Sequence, residues 1–465
     1  MSEHNFSSLN LNQEILDNLV SLGFSSMTAI QAQSLPAILD GRDVIAKGQT
    51  GSGKTAAFGL GLIAKLESKL FRVQSLVLCP TRELADQVAN EIRRLARRTP
   101  NIKIITLTGG SAFRLQANSL KSGAHIVVGT PGRVEDHLKK DALSVEHLRS
   151  LVLDEADRML DMGFQKTLDS ILGMLPTSRQ TMMFSATFPQ EIETIANRVM
   201  RNPFKATVSA NQDSVRVTER FYLIESESER NIALQLLLLD CSFRACVVFC
   251  NTRKDVQLVA GALKSSGFSA APLHGDMEQK DRDQTLIRFT NGSVSILVAT
   301  DVAARGLDID SIDMVINFHL PRELDVYTHR IGRTARAGEK GIANSLYTSQ
   351  ELFRIEQLSA HLAQDIHTSE LPAQALLDQS PPRPKVSTLR IEAGKKQKLR
   401  AGDVVGALTR TDDKNGSDIF GDQIGKIQVL ENWTYVAVAR DVAKLALKKL
   451  ASGKLKGKSF RARLI

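Results

Sequence analysis

The chain has 465 residues, of which 42% are hydrophobic and 24% are charged, as in a typical soluble globular protein. At roughly 150 residues per domain, this length suggests about three domains. No apolar run approaches the roughly 18 residues of a membrane span, and residues 1–10 lack the pattern of a secretion signal. We therefore expect a cytoplasmic protein with no membrane partner.

The four cysteines are too few for a disulfide framework in a chain of this length. Three of them, Cys241, Cys246 and Cys250, lie within ten residues, which could indicate a metal site. No second cluster of metal ligands completes such a site in the sequence, so we favour thiols packed in the core.

The net charge of +9 is concentrated at the C-terminus. Residues 386–465 contain 17 Lys and Arg against 8 Asp and Glu, so the rest of the chain is neutral overall. Such a segment is typical of a module that binds a polyanion, and a merely solvated basic surface is the alternative.

Short apolar runs alternate with amphipathic stretches through the first 368 residues, which predicts parallel sheets with helices on both faces. One series of buried strands is predicted at residues 44–46, 75–79, 126–129, 151–153 and 181–184. A second series is predicted at residues 245–250, 296–299, 314–318 and 343–347. The two series indicate two tandem α/β domains with a joint near residues 209–216.

Prolines among polar residues interrupt this pattern after residue 368 and predict an extended linker. Beyond the linker, residues 404–408 and 435–438 are predicted to form strands, and residues 441–450 a helix. We therefore expect four segments. They are α/β domains at 1–209 and 210–368, a linker at 369–388, and a small α+β domain at 389–465.

Residues 48–55, GQTGSGKT, follow a predicted strand and fit the phosphate-binding loop G-x-x-x-x-G-K-[ST]. The glycines let backbone N–H groups converge on phosphate oxygens at the positive end of the next helix. The Lys54 ammonium would reach the β- and γ-phosphates of ATP, and the Thr55 hydroxyl would bind Mg²⁺. Contacts with ATP are predicted for Gly48, Gln49, Thr50, Gly51, Ser52, Gly53, Lys54 and Thr55.

Asp154 and Glu155 follow the apolar residues 151–153. A carboxylate at the C-terminal end of a strand can bind a phosphate-bound Mg²⁺, and we predict this role for Asp154. Glu155 would orient or deprotonate the attacking water. An acidic helix start is the alternative, but the phosphate-binding loop upstream favours catalysis.

Residues 329–336, HRIGRTAR, contain three arginines that could form an ordinary basic surface. An ATPase also needs positive charge on the transferring γ-phosphoryl group, often supplied by another domain. We predict that Arg333 and Arg336 complete the catalytic site when the two α/β domains close, which would couple hydrolysis to domain movement.

The motifs at residues 48–55, 154–155 and 329–336 together resemble those of the DEAD-box family of RNA helicases, which have two tandem RecA-like domains. Further matches are Gly23-Phe24 through Gln31, with Phe6 upstream, and Ser185-Ala186-Thr187. The resemblance implies that Gln31 hydrogen-bonds adenine and that Phe6 stacks on it. It also implies that Asp308 contacts the ribose of ATP. By the same resemblance, Ser185 and Thr187 link ATP hydrolysis to strand separation.

The resemblance also implies contacts with the RNA backbone from residues that follow predicted strands. In the first domain these are Pro80, Thr81, Arg82, Gly110, Thr130, Pro131 and Arg133. In the second domain they are Thr252, Gly275 and Thr300. Outside this constellation, such residues would be ordinary turns and helix caps. Ala335 stands where the family commonly has glycine, and this small residue leaves the arginines of its motif in place.

The C-terminal module contains two basic clusters on glycine-containing segments, which can follow a phosphate backbone and release counterions. The predicted RNA contacts are Lys395, Lys396, Lys398, Arg400, Lys454, Lys456, Lys458 and Arg461. Tyr435 is also a predicted contact, although core packing of Tyr435 and Trp433 is an equal alternative.

This module resembles the C-terminal domain of the DbpA subfamily of bacterial DEAD-box proteins, through residues 394–396, 399–408, 424–427 and 455–458. The resemblance implies an RRM-like fold that binds a hairpin of 23S rRNA within a 50S precursor. The expected function is that of a monomeric RNA helicase that uses ATP and Mg²⁺ to remodel short rRNA duplexes.

Two other functions are compatible with parts of this pattern. One is an RNA-binding chaperone with a vestigial ATPase, against which the intact Lys54, Asp154, Glu155 and Arg336 argue. The other is a general RNA helicase without a dedicated rRNA target, which the basic tail disfavours.

Overall fold

The computed structural model describes residues 5–48, 51–188, 190–208, 217–304, 312–334, 340–410 and 418–465. The described residues form two compact units, one up to residue 208 and one from residue 217 onward. Across these described ranges, no helix is both long and apolar enough to cross a membrane. The predicted joint at residues 209–216 lies outside the described residues.

The first unit is built on a seven-stranded parallel sheet with the order β3-β4-β2-β5-β6-β1-β7. Its strands are β1 (Val44–Lys47), β2 (Ser75–Leu78), β3 (Ile104–Leu107), β4 (Ile126–Gly129), β5 (Ser150–Asp154), β6 (Gln180–Ser185) and β7 (Phe204–Thr207). The five predicted strands are confirmed. The sequence patterns missed β3 and β7, the two edge strands, because an edge strand is only partly buried.

Helices cover both faces of this sheet, as its apolar strands require. They are α1 (Gln13–Ser21), α2 (Ala29–Leu39), α3 (Lys54–Ala64), α4 (Arg82–Leu95), α5 (Phe113–Lys121), α6 (Pro131–Lys139), α7 (Ala156–Asp161), α8 (Gln165–Met174) and α9 (Gln190–Val199). The sheet therefore separates two hydrophobic clusters, one around Phe58 and Phe184 and one around Leu153 and Met159.

The second unit contains another seven-stranded parallel sheet, with the order β10-β11-β9-β12-β13-β8-β14. Its strands are β8 (Val217–Ile224), β9 (Cys246–Phe249), β10 (Ala270–Leu273), β11 (Ile296–Ala299), β12 (Met314–Asn317), β13 (Gly341–Thr348) and β14 (Thr368–Ser369). Its helices are α10 (Arg230–Asp240), α11 (Arg253–Ser265), α12 (Gln279–Thr290), α13 (Asp301–Ala304), α14 (Leu324–Ile331) and α15 (Leu352–Leu362). The four strands predicted here are confirmed.

The same unit ends in a small domain with a four-stranded antiparallel sheet of order β16-β17-β15-β18. Its elements are β15 (Val386–Ile391), α16 (Ala401–Leu408), β16 (Ile424–Val429), β17 (Thr434–Ala439), α17 (Ala443–Ser452) and β18 (Ala462–Leu464). This βαββαβ order is that of an RNA-recognition-type fold. The predicted fold class is confirmed: two RecA-like parallel-sheet domains and a small α+β domain.

Two local expectations for the small domain differ from the structure. Residues 404–408 were predicted as a strand but form the second half of helix α16, so this prediction is wrong. The backbone N–H of Arg400 donates to the Asp403 carboxylate at 2.7 Å, which caps the helix start. Strand β15 begins at Val386, inside the segment predicted as a linker.

One face of the small sheet packs against the second α/β domain. The Thr388 hydroxyl lies 2.7 Å from that of Ser293, and Arg390 donates to the Gln284 side chain at 3.0 Å. The Arg390 guanidinium also lies 4.5 Å from the centre of the Trp433 ring. Tyr435, which pairs with Arg390 across the sheet, is only 1% exposed. This sheet face is therefore a domain interface.

Trp433 is the only tryptophan of the chain, so its fluorescence can report on this interface. We expect Arg390→Ala to weaken docking by about 2 kcal/mol, because it removes a charged hydrogen bond and a cation–π contact. Trp433 emission should shift to longer wavelength and become easier to quench with acrylamide. Lys426→Ala, on the exposed edge strand β16, is the control. Identical quenching in both variants would contradict the docking role of Arg390.

Candidate functional site

The predicted phosphate-binding loop connects the end of β1 to the start of α3. Gly51 and Gly53 have φ angles of +87° and +90°, which only glycine adopts without steric cost. The Lys54 ammonium is buried and donates to the Gly48 carbonyl oxygen at 2.6 Å. The first N–H groups of α3 have no acceptor within the helix, so this loop suits a bound phosphate.

Gln31, the predicted adenine contact, holds the phosphate-binding loop in this structure. Its Nε2 donates to the Gly53 carbonyl oxygen at 3.1 Å, and its Oε1 accepts from the Thr28 N–H at 2.9 Å. The Thr28 hydroxyl donates to the Ser52 carbonyl oxygen at 2.8 Å. A glutamine amide has a second N–H and a second lone pair, so these bonds leave it capacity for a base edge.

Phe6, the predicted stacking partner of adenine, lies in a short 3₁₀ turn ahead of α1. Its side chain is 4% exposed, and its ring packs edge-to-face against Phe24 with 6.2 Å between ring centres. The ring is therefore part of the core in this structure.

Asp154 ends strand β5 and is buried. Its Oδ1 atom has no hydrogen-bond partner among the described residues. Burial and then the Glu155 charge raise the pKa of Asp154 to about 7, while Lys54 acts in the opposite direction. A buried carboxylate oxygen without a partner fits a cation, and Mg²⁺ bound through phosphates needs only one or two carboxylates. Thr55, whose hydroxyl is the other predicted Mg²⁺ ligand, lies in the first turn of α3.

Glu155 begins α7 with φ of 52° and ψ of 50°, a left-handed conformation that is uncommon for a non-glycine residue. Its carboxylate accepts from Arg158 Nη1 at 2.7 Å, and both side chains are buried. Backbone strain of this kind costs about 1–3 kcal/mol and is found mostly at functional sites. The structure therefore fixes the direction of Glu155 through both its backbone and Arg158.

Asp157 joins the acidic motif to the Ser185–Thr187 segment. Its Oδ2 accepts from the backbone N–H and the hydroxyl of Thr187, each at 2.9 Å, and from the Ala186 N–H at 3.2 Å. Its own N–H donates to the Ser185 hydroxyl at 3.3 Å. Although burial raises the pKa of Asp157, the hydrogen bonds from Thr187 and Ser185 outweigh this effect and lower it. Sequence reasoning singled out Ser185 and Thr187 but missed their partner.

The predicted RNA contacts of the first domain follow β2, β3 and β4, which are neighbours in the sheet. Carboxyl ends of parallel strands meet at one edge, so these loops lie together. The Thr81 hydroxyl caps α4 by accepting from the Leu84 N–H at 3.2 Å, and buried Pro80 precedes it. Thr130 is the N-cap of α6 without a hydrogen bond from its side chain, and Pro131 is the first residue of that helix.

Arg82 and Arg133 give this edge its positive charge. Arg82 lies close to Gly109: a Cβ atom there would come within 2.7 Å of Nη2, so a larger residue would require the arginine side chain to shift. The next residue, Gly110, has φ of +83°. Arg133 donates to the Ser111 carbonyl oxygen at 2.8 Å, and this bond holds the Arg133 side chain against the same loop.

In the second domain, Thr252, Gly275 and Thr300 follow β9, β10 and β11, which are again neighbours. The Thr252 hydroxyl caps α11 by accepting from the Asp255 N–H at 3.1 Å. A Cβ atom at Gly275 would meet nothing within 4 Å, so the backbone there is open to a ligand. The structure thus brings together the predicted RNA contacts of each domain.

Arg330, to which the sequence assigned no role, connects the loops at the carboxyl ends of the strands in the second domain. Its guanidinium is 1% exposed and donates to the Asp301 carboxylate at 2.5 and 2.8 Å. It also donates to the side-chain oxygens of Asn251 and Asn317, each at 3.0 Å. Arg333, one turn further along the chain, is 4% exposed. Arg330 therefore fixes the segment that carries Arg333 against the loops after β9 and β11.

Three predicted contacts with ATP, Gln49, Thr50 and Asp308, lie outside the described residues, as does the predicted catalytic residue Arg336.

The two basic clusters of the C-terminal domain form one surface. The Lys456 ammonium donates to the Lys398 carbonyl oxygen at 2.5 Å and lies 3.3 Å from the Asp403 carboxylate. We call this set the basic surface, and all its members are exposed: Lys395, Lys396, Lys398, Arg400, Lys454, Lys456, Lys458 and Arg461. Tyr435 is not among them, because its ring is buried at the domain interface. The core-packing alternative is therefore the observed arrangement of Tyr435.

Comparison with known proteins gives three family matches along the chain. Residues 28–195 match the DEAD/DEAH box helicase family, and residues 229–338 match the helicase conserved C-terminal domain. Residues 388–464 match the DbpA RNA binding domain.

Similar proteins agree with these matches. The chain is 50% identical to the ATP-dependent RNA helicase DbpA of Escherichia coli strain K12 over 461 residues, 99% of each chain. It is 37% identical to the Bacillus subtilis strain 168 protein of that name, over 98% of each chain. Among solved structures, S. cerevisiae Dbp5 bound to RNA and ADP BeF3 has a TM-score of 0.71 and 29% identity. That alignment covers 82% of this chain and all of the other.

The geometry of Asp154 and the phosphate-binding loop agrees with these similarities. The chain belongs to the DbpA-type DEAD-box family of ATP-dependent RNA helicases.

Proposed function

We propose that this helicase binds a hairpin of 23S rRNA through its C-terminal domain and separates short neighbouring duplexes during assembly of the 50S subunit. It acts as a monomer in the cytoplasm. The observation that carries this proposal is the basic surface, eight exposed cationic side chains from two segments joined through Lys456. The DbpA RNA binding domain match over residues 388–464 supports rRNA as the target.

ATP hydrolysis is assigned to the edge formed by the ends of β1, β5 and β6. Lys54 would bind the β- and γ-phosphates, and Asp154 and Thr55 would hold Mg²⁺. Bound there, Mg²⁺ would neutralise charge on the phosphate oxygens. Glu155, whose direction is fixed by Arg158, orients the attacking water and accepts its proton.

The second domain supplies Arg333 and Arg336, which stabilise charge on the transferring γ-phosphoryl group. Each domain contributes RNA-backbone contacts from neighbouring loops, so a bound strand and ATP both favour domain closure. Asp157 transmits the state of the nucleotide site to the Ser185–Thr187 segment through its four hydrogen bonds. Hydrolysis then reopens the domains and releases the RNA.

The first prediction concerns the phosphate-binding loop. We expect Lys54→Ala to reduce RNA-stimulated ATP turnover by at least about 100-fold, because the variant loses the ammonium assigned to the β- and γ-phosphates. A phosphate-release assay measures this loss. Lys69→Ala, an exposed lysine shortly after the same helix, controls for the change in net charge. Full turnover in the Lys54 variant would refute the assignment of the loop.

The second prediction concerns the basic surface. We expect the fourfold variant with Lys395, Lys396, Lys454 and Lys458 changed to alanine to require more rRNA for half-maximal ATPase stimulation, by about tenfold or more. The slope of log affinity against log salt should fall by about 3, because up to four phosphate contacts are lost. The test RNA is a 23S rRNA fragment that contains the hairpin. Filter binding across a salt series gives the slope.

The matched control changes four exposed lysines elsewhere around the same domain to alanine: Lys385, Lys426, Lys444 and Lys448. It has the same net charge, so an equal loss in both variants would refute the basic surface as the binding site. Random RNA of equal length separates a dedicated target from a general helicase. If it stimulated the unsubstituted enzyme as well as the rRNA fragment did, the proposed target would be wrong.

A further inference from the structure

A buried polar cluster lies beside the RNA edge of the first domain. Gln116 in α5 is 8% exposed, and His137 in α6 is fully buried. The Gln116 Oε1 atom accepts from Arg133 Nη1 at 2.7 Å and lies 3.0 Å from His137 Nε2. The Gln116 Nε2 atom donates to the Thr108 carbonyl oxygen at 2.9 Å. One amide thus connects the loop after β3 to helix α6.

The direction of this amide is fixed by its partners. Turning it over would set two donors, Gln116 Nε2 and Arg133, against each other, and would set Oε1 against the Thr108 carbonyl oxygen. Because Oε1 can only accept, the facing His137 Nε2 must carry a proton. Burial, followed by the charge of Arg133, lowers the pKa of His137 to about 4, so the ring is neutral near pH 7. The Phe113 ring stacks on His137 with 4.1 Å between ring centres.

Arg133 is the cluster member that reaches the surface. Its Nη1 atom donates to both the Gln116 side chain and the Ser111 carbonyl oxygen, at 2.7 and 2.8 Å. No described residue accepts from its Nε or Nη2 atoms, which are the pair that can bind a phosphate in a fork. Two internal bonds to one nitrogen therefore hold the guanidinium while the remaining donors are left for a ligand.

We propose that Gln116 is a positioning residue for RNA binding, which holds Arg133 in the orientation that meets the RNA backbone. The proposal rests on the proposed RNA contact of Arg133. Ordering a long arginine before binding removes an entropic cost from the binding step. Thr108 directly precedes Gly109 and Gly110. The same amide therefore also fixes the position of these two glycines relative to Arg133.

The test uses the full chain and two substitutions of Gln116. Gln116→Met removes all three hydrogen bonds at similar volume, and Gln116→Glu keeps an acceptor for Arg133 and His137. For Gln116→Met we expect the Kd for a labelled single-stranded RNA, with a non-hydrolysable ATP analogue, to rise about three- to tenfold. The kcat at saturating rRNA should stay within about twofold. Gln116→Glu should recover part of the affinity.

Asn118→Met, at an exposed position of α5, is the matched control and should leave the Kd unchanged. A double-mutant cycle with Arg133→Ala separates positioning from general loosening. If Gln116 acts through Arg133, Gln116→Met changes the Kd in the native background and not beside Arg133→Ala. An equal change in both backgrounds, or none in either, overturns the proposal.

Two further outcomes have distinct meanings. If Arg133→Ala leaves the Kd unchanged, the proposed RNA contact of Arg133 is wrong, and the positioning role is rejected with it. If Arg133→Ala weakens binding and neither Gln116 variant does, only the positioning role is rejected. Thermal melting by circular dichroism shows whether Gln116→Met folds. If it does not, a Kd for Gln116→Glu that is closer to native than the Kd for Gln116→Ala supports the role, and equal Kd values for the two variants reject it.

Discussion

Parallel strand pairing is the constraint on which the rest of this structure depends. It places the carboxyl ends of all strands at one edge, so residues far apart in sequence meet there. The order β3-β4-β2-β5-β6-β1-β7 then divides that edge in two. Strands β3, β4 and β2 carry the predicted RNA contacts, while β5, β6 and β1 carry Asp154, Ser185 and the phosphate-binding loop. In the second domain, the neighbouring strands β10, β11 and β9 likewise precede the predicted RNA contacts. The strand order thus places the predicted RNA contacts beside the predicted nucleotide site.

Such an edge concentrates polar groups in partly buried loops, and each of these groups needs a partner. The structure meets this need with a few side chains that each make many bonds. Arg330 binds Asp301, Asn251 and Asn317 together in the second domain. Asp157 connects two loops of the nucleotide half, and Gln116 connects two loops of the RNA half. Because removing one partner would leave several buried groups unsatisfied, these hydrogen bonds favour one arrangement of the loops.

The sequence predicted the buried framework well because fully buried parallel strands are uninterrupted apolar runs. It failed at residues 404–408, where five residues are too few to separate a period of 2 from one of 3.6. The burial of Val404 and Leu408, four residues apart, shows the helical period. Motif residues such as Lys54 and Asp154 were found because their spacing is local. Arg133 was found in the same way, but its hydrogen-bond partner Gln116 was not, because strand β4 separates the two and no spacing rule joins them.

In the C-terminal domain, one face of the sheet is buried and is not exposed for RNA binding. An RNA-recognition-type sheet commonly offers its open face to stacked bases. Here that face carries Thr388, Arg390 and Tyr435, all buried against the second α/β domain. The proposed RNA binding therefore uses loops, because the basic surface lies on those around β15 and β18. Lysines on loops bind phosphates and the shape of an RNA more than the identity of its bases. Since the sheet face fixes the small domain on the second α/β domain, an RNA bound as proposed would stay at a set distance from Thr252 and Thr300. The proposed anchoring and remodelling would then be coupled through this domain interface.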